Sequence, residues 1–144
     1  MIGKGIVFLF LAVGMVWDLK NKSIPRGYLY LWIFVAIIYA TFSLINGKKI
    51  ISMIIALIPG VISLFLAFVT KEQIGIGDGM IILLAGVFLH VKDVIGMIFV
   101  AFIALTLVAM VLLVTHMAGG KSKIPFIPFL FGGYLVCVLS GGFI

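Results

Sequence analysis

Four carboxylates are spread through the chain: Asp18, Glu72, Asp78 and Asp93. Asp78 stands in the glycine-rich stretch Gly75-Ile76-Gly77-Asp78-Gly79, wedged between two strongly apolar segments. An acid in such surroundings is costly unless solvated, paired or used, so it is a functional-site hypothesis by default. When two carboxylates share a site, their like charges separate the two titrations and one proton is held jointly. The ionised partner can then deprotonate a water while the protonated one supports a carbonyl oxygen. That is acid–base hydrolysis of a peptide bond, without metal, cofactor or covalent intermediate. Two plainer readings stand beside it. An Asp at the end of a span can simply meet solvent, and an Asp after glycines is a good helix N-cap. Glu72, next to Lys71, reads as a solvated loop acid or as part of the rim of such a site.

The elements that would carry these acids follow from composition. Of 144 residues, 65% are hydrophobic and 10% charged, and the mean hydropathy is +1.46; soluble domains use about 45–50% apolar and 25% charged residues. The expectation is an all-α integral membrane protein in the lipid bilayer, folded as a single membrane domain over residues 1–144. Six spans are predicted: about Ile2 to Trp17, Gly27 to Ile45, Ile50 to Val69, Asp78 to Val91, Val94 to Thr115, and a last one opened by Ile124-Pro125-Phe126-Ile127-Pro128-Phe129. Asp18 closes the first, Pro25 suits the first turn of the second, and Pro59-Gly60 predicts a kink in the third. The fourth is short: about 14 residues at 1.5 Å each give roughly 21 Å against a hydrocarbon core of roughly 30 Å. Its glycines favour a start below the membrane surface, with Asp78 in a water-accessible recess.

Two spans separate Asp18 from Asp78, so both emerge on the same side and can meet; Asp93 lies one crossing further, on the other. Lys20, Lys22, Arg26, Lys71, Lys121 and Lys123 share the side of the pair, against Lys4, Lys48, Lys49 and Lys92 opposite. The positive-inside rule makes the first side cytoplasmic.

The remaining candidates point away from other functions. The net charge of +6 comes from residues scattered between apolar runs, which gives no nucleic-acid face. The one cysteine, Cys137, cannot form an intrachain disulfide and reads as packing. His90 and His116 fall at span ends on opposite sides and cannot share a metal. Trp17, Tyr28, Tyr30 and Trp32 read as interfacial anchors, and Gly132-Gly133 and Gly141-Gly142 as sites of close helix approach.

Three motifs carry a family resemblance. Asp18-Leu19-Lys20-Asn21-Lys22-Ser23-Ile24-Pro25 resembles the first motif of the type IV prepilin peptidases, an Asp after the first span followed by a basic loop and Ile-Pro. Gly75-Ile76-Gly77-Asp78 resembles their second, the Gly-x-Gly-Asp signature shared with other intramembrane aspartyl proteases. Lys123-Ile124-Pro125-Phe126-Ile127-Pro128-Phe129 is similar to the Pro-Phe-x-Pro-Phe opening of their last helix. The resemblance implies an aspartyl endopeptidase of a prokaryotic cell membrane that cuts the short basic leader from prepilin-like or pseudopilin-like substrates at the cytoplasmic border. It implies Asp18 and Asp78 as the catalytic pair, with Ile24, Pro25, Gly75, Gly77, Gly79, Pro125 and Pro128 shaping the site. Two positions depart from it: Met80 where many relatives have Lys, and Arg26 where Asn is common. Larger relatives carry a cysteine-rich cytoplasmic insert and N-methylate the new terminus; this sequence resembles the small members, for which methylation is not implied. The rival reading is a small transporter or channel subunit whose acids bind a proton or cation.

Overall fold

In a computed structural model, which describes residues 2–70, 75–115 and 124–141, the chain forms six α-helices. They are α1 (Ile2–Asn21), α2 (Arg26–Ile45), α3 (Ile50–Val69), α4 (Ile76–Phe88), α5 (Val91–Val114) and α6 (Ile127–Leu139), and the described residues contain no strand. The protein is an all-α helical membrane bundle. Four helices, α1, α2, α3 and α5, are long and apolar enough to cross a membrane. The other two, α4 and α6, have 13 residues each, about 20 Å at the usual rise.

Helix α4 is the centre of the bundle. Ile81, Ile82, Leu84, Ala85, Val87 and Phe88 are all buried, so this helix is covered nearly all round, as expected of one apolar on every face. By contrast α2 fully buries only Ala36; one face, with Tyr28, Trp32, Ile33 and Tyr39, packs half-buried on the core and the other is exposed. Small residues bring α4 onto α3: a Cβ on Gly86 would run into the carbonyl oxygen of Ala56, and one on Gly60 into the backbone of Leu83. Gly133 of α6 lies equally close to the Met97 carbonyl of α5. Between membrane helices, where lipid removes most of the hydrophobic drive, such backbone proximity supplies the packing. Gly132 and Gly141 have nothing within 4 Å of an added Cβ, so the expected close approach belongs to Gly133; Gly142 lies outside the described residues.

The helix ends differ from the sequence expectation in ways that matter for the acids. α1 does not close at Asp18 but runs to Asn21. It is stopped by Lys22, whose N–H still donates to the Asp18 carbonyl at 2.8 Å while its positive φ of 49° turns the chain out of the helix, a left-handed C-terminal cap without glycine. Pro25 is the N-cap of α2 rather than a first-turn residue. α4 starts at Ile76, with Gly75 as N-cap, so Asp78 is the third helical residue and not a cap. α5 starts at Val91, which places Asp93 in its first turn instead of in a connecting loop. α3 continues unbroken through Pro59, with the Ser63 hydroxyl donating to the Pro59 carbonyl at 2.9 Å.

Candidate active site

Asp18 is 6% exposed, the one buried charged side chain among the described residues. It sits near the C-terminal end of α1, where unpaired carbonyls make an anion unwelcome. Its compensation comes from far along the chain: the Ile127 N–H donates to Oδ2 at 3.1 Å, and the Phe126 N–H is also turned toward it. Both belong to the start of α6, where Phe126 is the N-cap and Pro128 lies in the first turn. Pro125 and Pro128 have no N–H, so the spacing of the two prolines leaves two donors in this short stretch and both face the same carboxylate.

Asp78 is half-buried and leans back over the start of α4: a Cβ built on Gly75 would lie 3.1 Å from its Oδ2. Gly77 makes room for Ile24, whose Cδ1 would be 2.9 Å from an added Cβ. In this way the loop after α1 is seated on the glycine turn. Gly79 faces α3, 3.1 Å from the Leu64 backbone nitrogen on the same construction. One turn before Asp18, a Cβ on Gly14 would meet the Tyr28 hydroxyl at 3.4 Å, Ile127 at 3.6 Å and Ile81 at 3.8 Å. Gly14 is thus the crossing point of α1 with α2, α4 and α6. Gly14, one turn before Asp18, meets Ile81, one turn after Asp78, so the two acids stand on facing turns of α1 and α4. Asp18, Asp78, Ile24, Gly75, Gly77 and the Pro125–Pro128 turn therefore come together, Gly79 joins them to α3, and Pro25 begins α2 beside them. Glu72 lies outside the described residues.

Other sequence candidates fall elsewhere. Cys137 is buried on α6 with Sγ 3.8 Å from the Asp93 carbonyl oxygen, at the end of the bundle away from the pair. His90 is the exposed N-cap of α5, and His116 lies outside the described residues. Among the described residues no three His, Cys, Asp or Glu side chains converge. Two of the four expected interfacial aromatics turn inward. The Tyr28 hydroxyl donates to the Phe10 carbonyl, its ring stacks on Phe10 at 5.8 Å, and Trp32 packs on Phe10 at 4.8 Å. Tyr30 and Trp17 remain exposed. Two neighbours of the site were not read as such from the sequence, the Ile127 N–H and Tyr28, the latter expected as an interfacial anchor. Only the Pro-x-x-Pro spacing hinted at the first.

A buried acid tied to a distant helix start, with a second acid beside it, can hold one proton between two carboxylates and polarise a water. Comparison with known families gives the general class: residues 5–113 match the type IV leader peptidase family. The chain belongs to this family. The matched range contains both aspartates, while α6 lies outside it. No curated protein and no solved structure matches the chain. Membership supports a membrane-embedded protease in general terms, and the multiple apolar helices place this family member in a membrane at several crossings.

Proposed function

We propose that the protein is an aspartic endopeptidase that removes the short basic leader from prepilin-like or pseudopilin-like membrane proteins, with Asp18 and Asp78 as its catalytic pair. It acts as one membrane-embedded domain over residues 1–144, in the cell membrane of a prokaryote, with the pair opening to the cytoplasm. Family membership supports the reaction class, and the side carrying six of the ten basic residues supports the orientation. The observation that carries the assignment is the burial of Asp18 on the turn of α1 that faces the start of α4, which bears Asp78, in an otherwise apolar bundle. An acid held there without a task would be a net cost.

In the reaction, one carboxylate takes a proton from water as its oxygen bonds to the scissile carbonyl carbon, and the other gives its proton to the carbonyl oxygen. Collapse of the tetrahedral adduct breaks the C–N bond, and the proton taken from water passes to the leaving amine. Gly75 leaves room for the Asp78 carboxylate and Gly77 for Ile24.

The test is co-expression with a candidate prepilin, scoring leader removal for Asp18→Asn and Asp78→Asn. Each variant is expected to lose at least about 10³-fold in cleavage rate, and normal processing by either would remove that residue from the pair. If the acids only bound a proton or cation, Asp18→Glu or Asp78→Glu would keep function and no leader would be cut, whereas a dyad tolerates little displacement of its carboxylates.

A further inference from the structure

The two aspartates are not equivalent, and the difference lies in what each carboxylate touches. Asp18 receives the Ile127 N–H at 3.1 Å and faces the Phe126 N–H. No hydrogen bond to the Asp78 carboxylate is formed among the described residues, where the N–H groups of Asp78 and Gly79 both turn to the Gly75 carbonyl, at 3.1 and 3.4 Å. Asp18 lies between the carbonyl end of α1 and the start of α6, whereas Asp78 lies in the first turn of α4, so the macrodipoles alone do not favour the anion at Asp18. Direct hydrogen bonds do, because N–H donors favour the charged form of a carboxylate. The construction of the α6 start is specific to this end. Pro125 and Pro128 offer no donor, and the N–H groups of Phe129 and Leu130 go to the Phe126 carbonyl at 3.0 and 3.1 Å. What is left free is what reaches Asp18.

We infer that the start of α6 fixes the division of labour in the pair: Ile127, through its backbone N–H, is a positioning residue that holds Asp18 as the ionised base, and Asp78 carries the shared proton. This rests on the peptidase reading above. No other charge faces the pair from the described residues. Lys20, Lys22 and Arg26 are exposed, and the Tyr28 hydroxyl is spent on the Phe10 carbonyl. With Oδ2 of Asp18 tied to Ile127, Oδ1 is the oxygen that takes the proton from water. Asp78 protonates the carbonyl oxygen as the new C–O bond forms. On collapse Asp18 passes its proton to the leaving nitrogen and one hydroxyl of the adduct returns a proton to Asp78, restoring both starting states.

The chain has three aspartates, Asp18, Asp78 and Asp93, so isotope labelling at the Asp side-chain carboxyl gives a readable titration by NMR in detergent. In Asp78→Asn the Asp18 carboxyl titrates without its neighbour, and in Asp18→Asn the Asp78 carboxyl does. Asp18 is expected to ionise at least about one pH unit below Asp78; equal or reversed order overturns the inference. A second arm uses Ile127→Pro, which deletes the N–H at a first helical position where proline is tolerated, against Ile127→Ala, which keeps it while also losing packing. The acid limb of the kcat/KM profile for leader cleavage should move up by about one pH unit in the proline variant and stay in place in the alanine variant. Equal movement in both, or none in the proline variant, also overturns it. If Ile127→Pro does not fold, the NMR order decides. The two readings fail separately: normal cleavage by the Asn variants removes the peptidase assignment, while lost cleavage with reversed titration removes only the division of labour.

Discussion

At the scale of single residues, the two acids are held differently: Asp18 accepts a backbone N–H from the start of α6, while Asp78 leans over Gly75. Their supports are harder to read in the sequence than the acids themselves. A backbone donor such as the Ile127 N–H carries no side-chain signature, and Tyr28 reads in the sequence as an interfacial ring, whereas its hydroxyl donates to the Phe10 carbonyl. The glycine turn yields a prediction that separates chemistry from folding. Gly75 has φ −61° and ψ 127°, a conformation open to any residue, so Gly75→Ala introduces no backbone strain. Its new methyl would instead press on Asp78 Oδ2, 3.1 Å away. Cleavage is expected to fall about 10–100-fold, in line with the cost of a small misplacement of a reacting group, with thermal stability in detergent unchanged. Gly77→Ala meets only the mobile end of Ile24 and should cost less than about 1 kcal/mol. An equal loss of activity in both variants would argue against a specific contact between position 75 and Asp78.

At the scale of elements, six helices could be counted from apolar runs, and α3 was placed at Ile50–Val69 because its flanking turns are plainly polar. Boundaries failed where the stop signal was not in the composition: α1 ends on a left-handed lysine, and α4 gains a first turn from Ile76 and Gly77, residues that read as loop. Those shifts place Asp18 in the last turn of α1 and Asp78 in the first turn of α4, so each is presented from helical backbone. The packing of the elements can be tested on two adjacent glycines of α6. Gly133→Ala would push against the Met97 carbonyl, a backbone atom that cannot swing aside, whereas Gly132→Ala enters open space. Thermal or denaturant unfolding in detergent should show a loss of about 1–3 kcal/mol for the first and a change within about 0.5 kcal/mol for the second. Similar values for the two would mean that α5 and α6 are not held by this contact.

At the scale of the whole molecule, the two short helices both begin at the candidate site, α4 with Asp78 in its first turn and α6 with its first turn on Asp18. The long helices run past it. Gly79 sits against Leu64, and α3 continues to Val69, roughly 8 Å further. Phe126 packs on Phe102 at 5.6 Å, and α5 continues to Val114, roughly 18 Å further. The pair is therefore recessed between walls of unequal height, the arrangement in which irregular backbone and charge at depth are tolerated beside water. Recess and orientation can be read together by cysteine labelling after Cys137→Ala removes the native thiol. Ile76 is 46% exposed at the mouth of the recess and Leu107 is 59% exposed on the outer face of α5, a lipid-facing stretch with no polar neighbour but Thr106. Ile76→Cys should react with a membrane-impermeant maleimide in inside-out vesicles and not in right-side-out ones, Leu107→Cys should resist in both, and Asn46→Cys, in the turn after α2, should show the opposite sidedness to Ile76→Cys. Reaction of Ile76→Cys only from the outside would invert the orientation and, with it, the proposal that the leader is cut at the cytoplasmic border. Protection of Ile76→Cys from both sides would mean instead that the recess is dry, and a dry recess would leave the pair without the water it is proposed to activate.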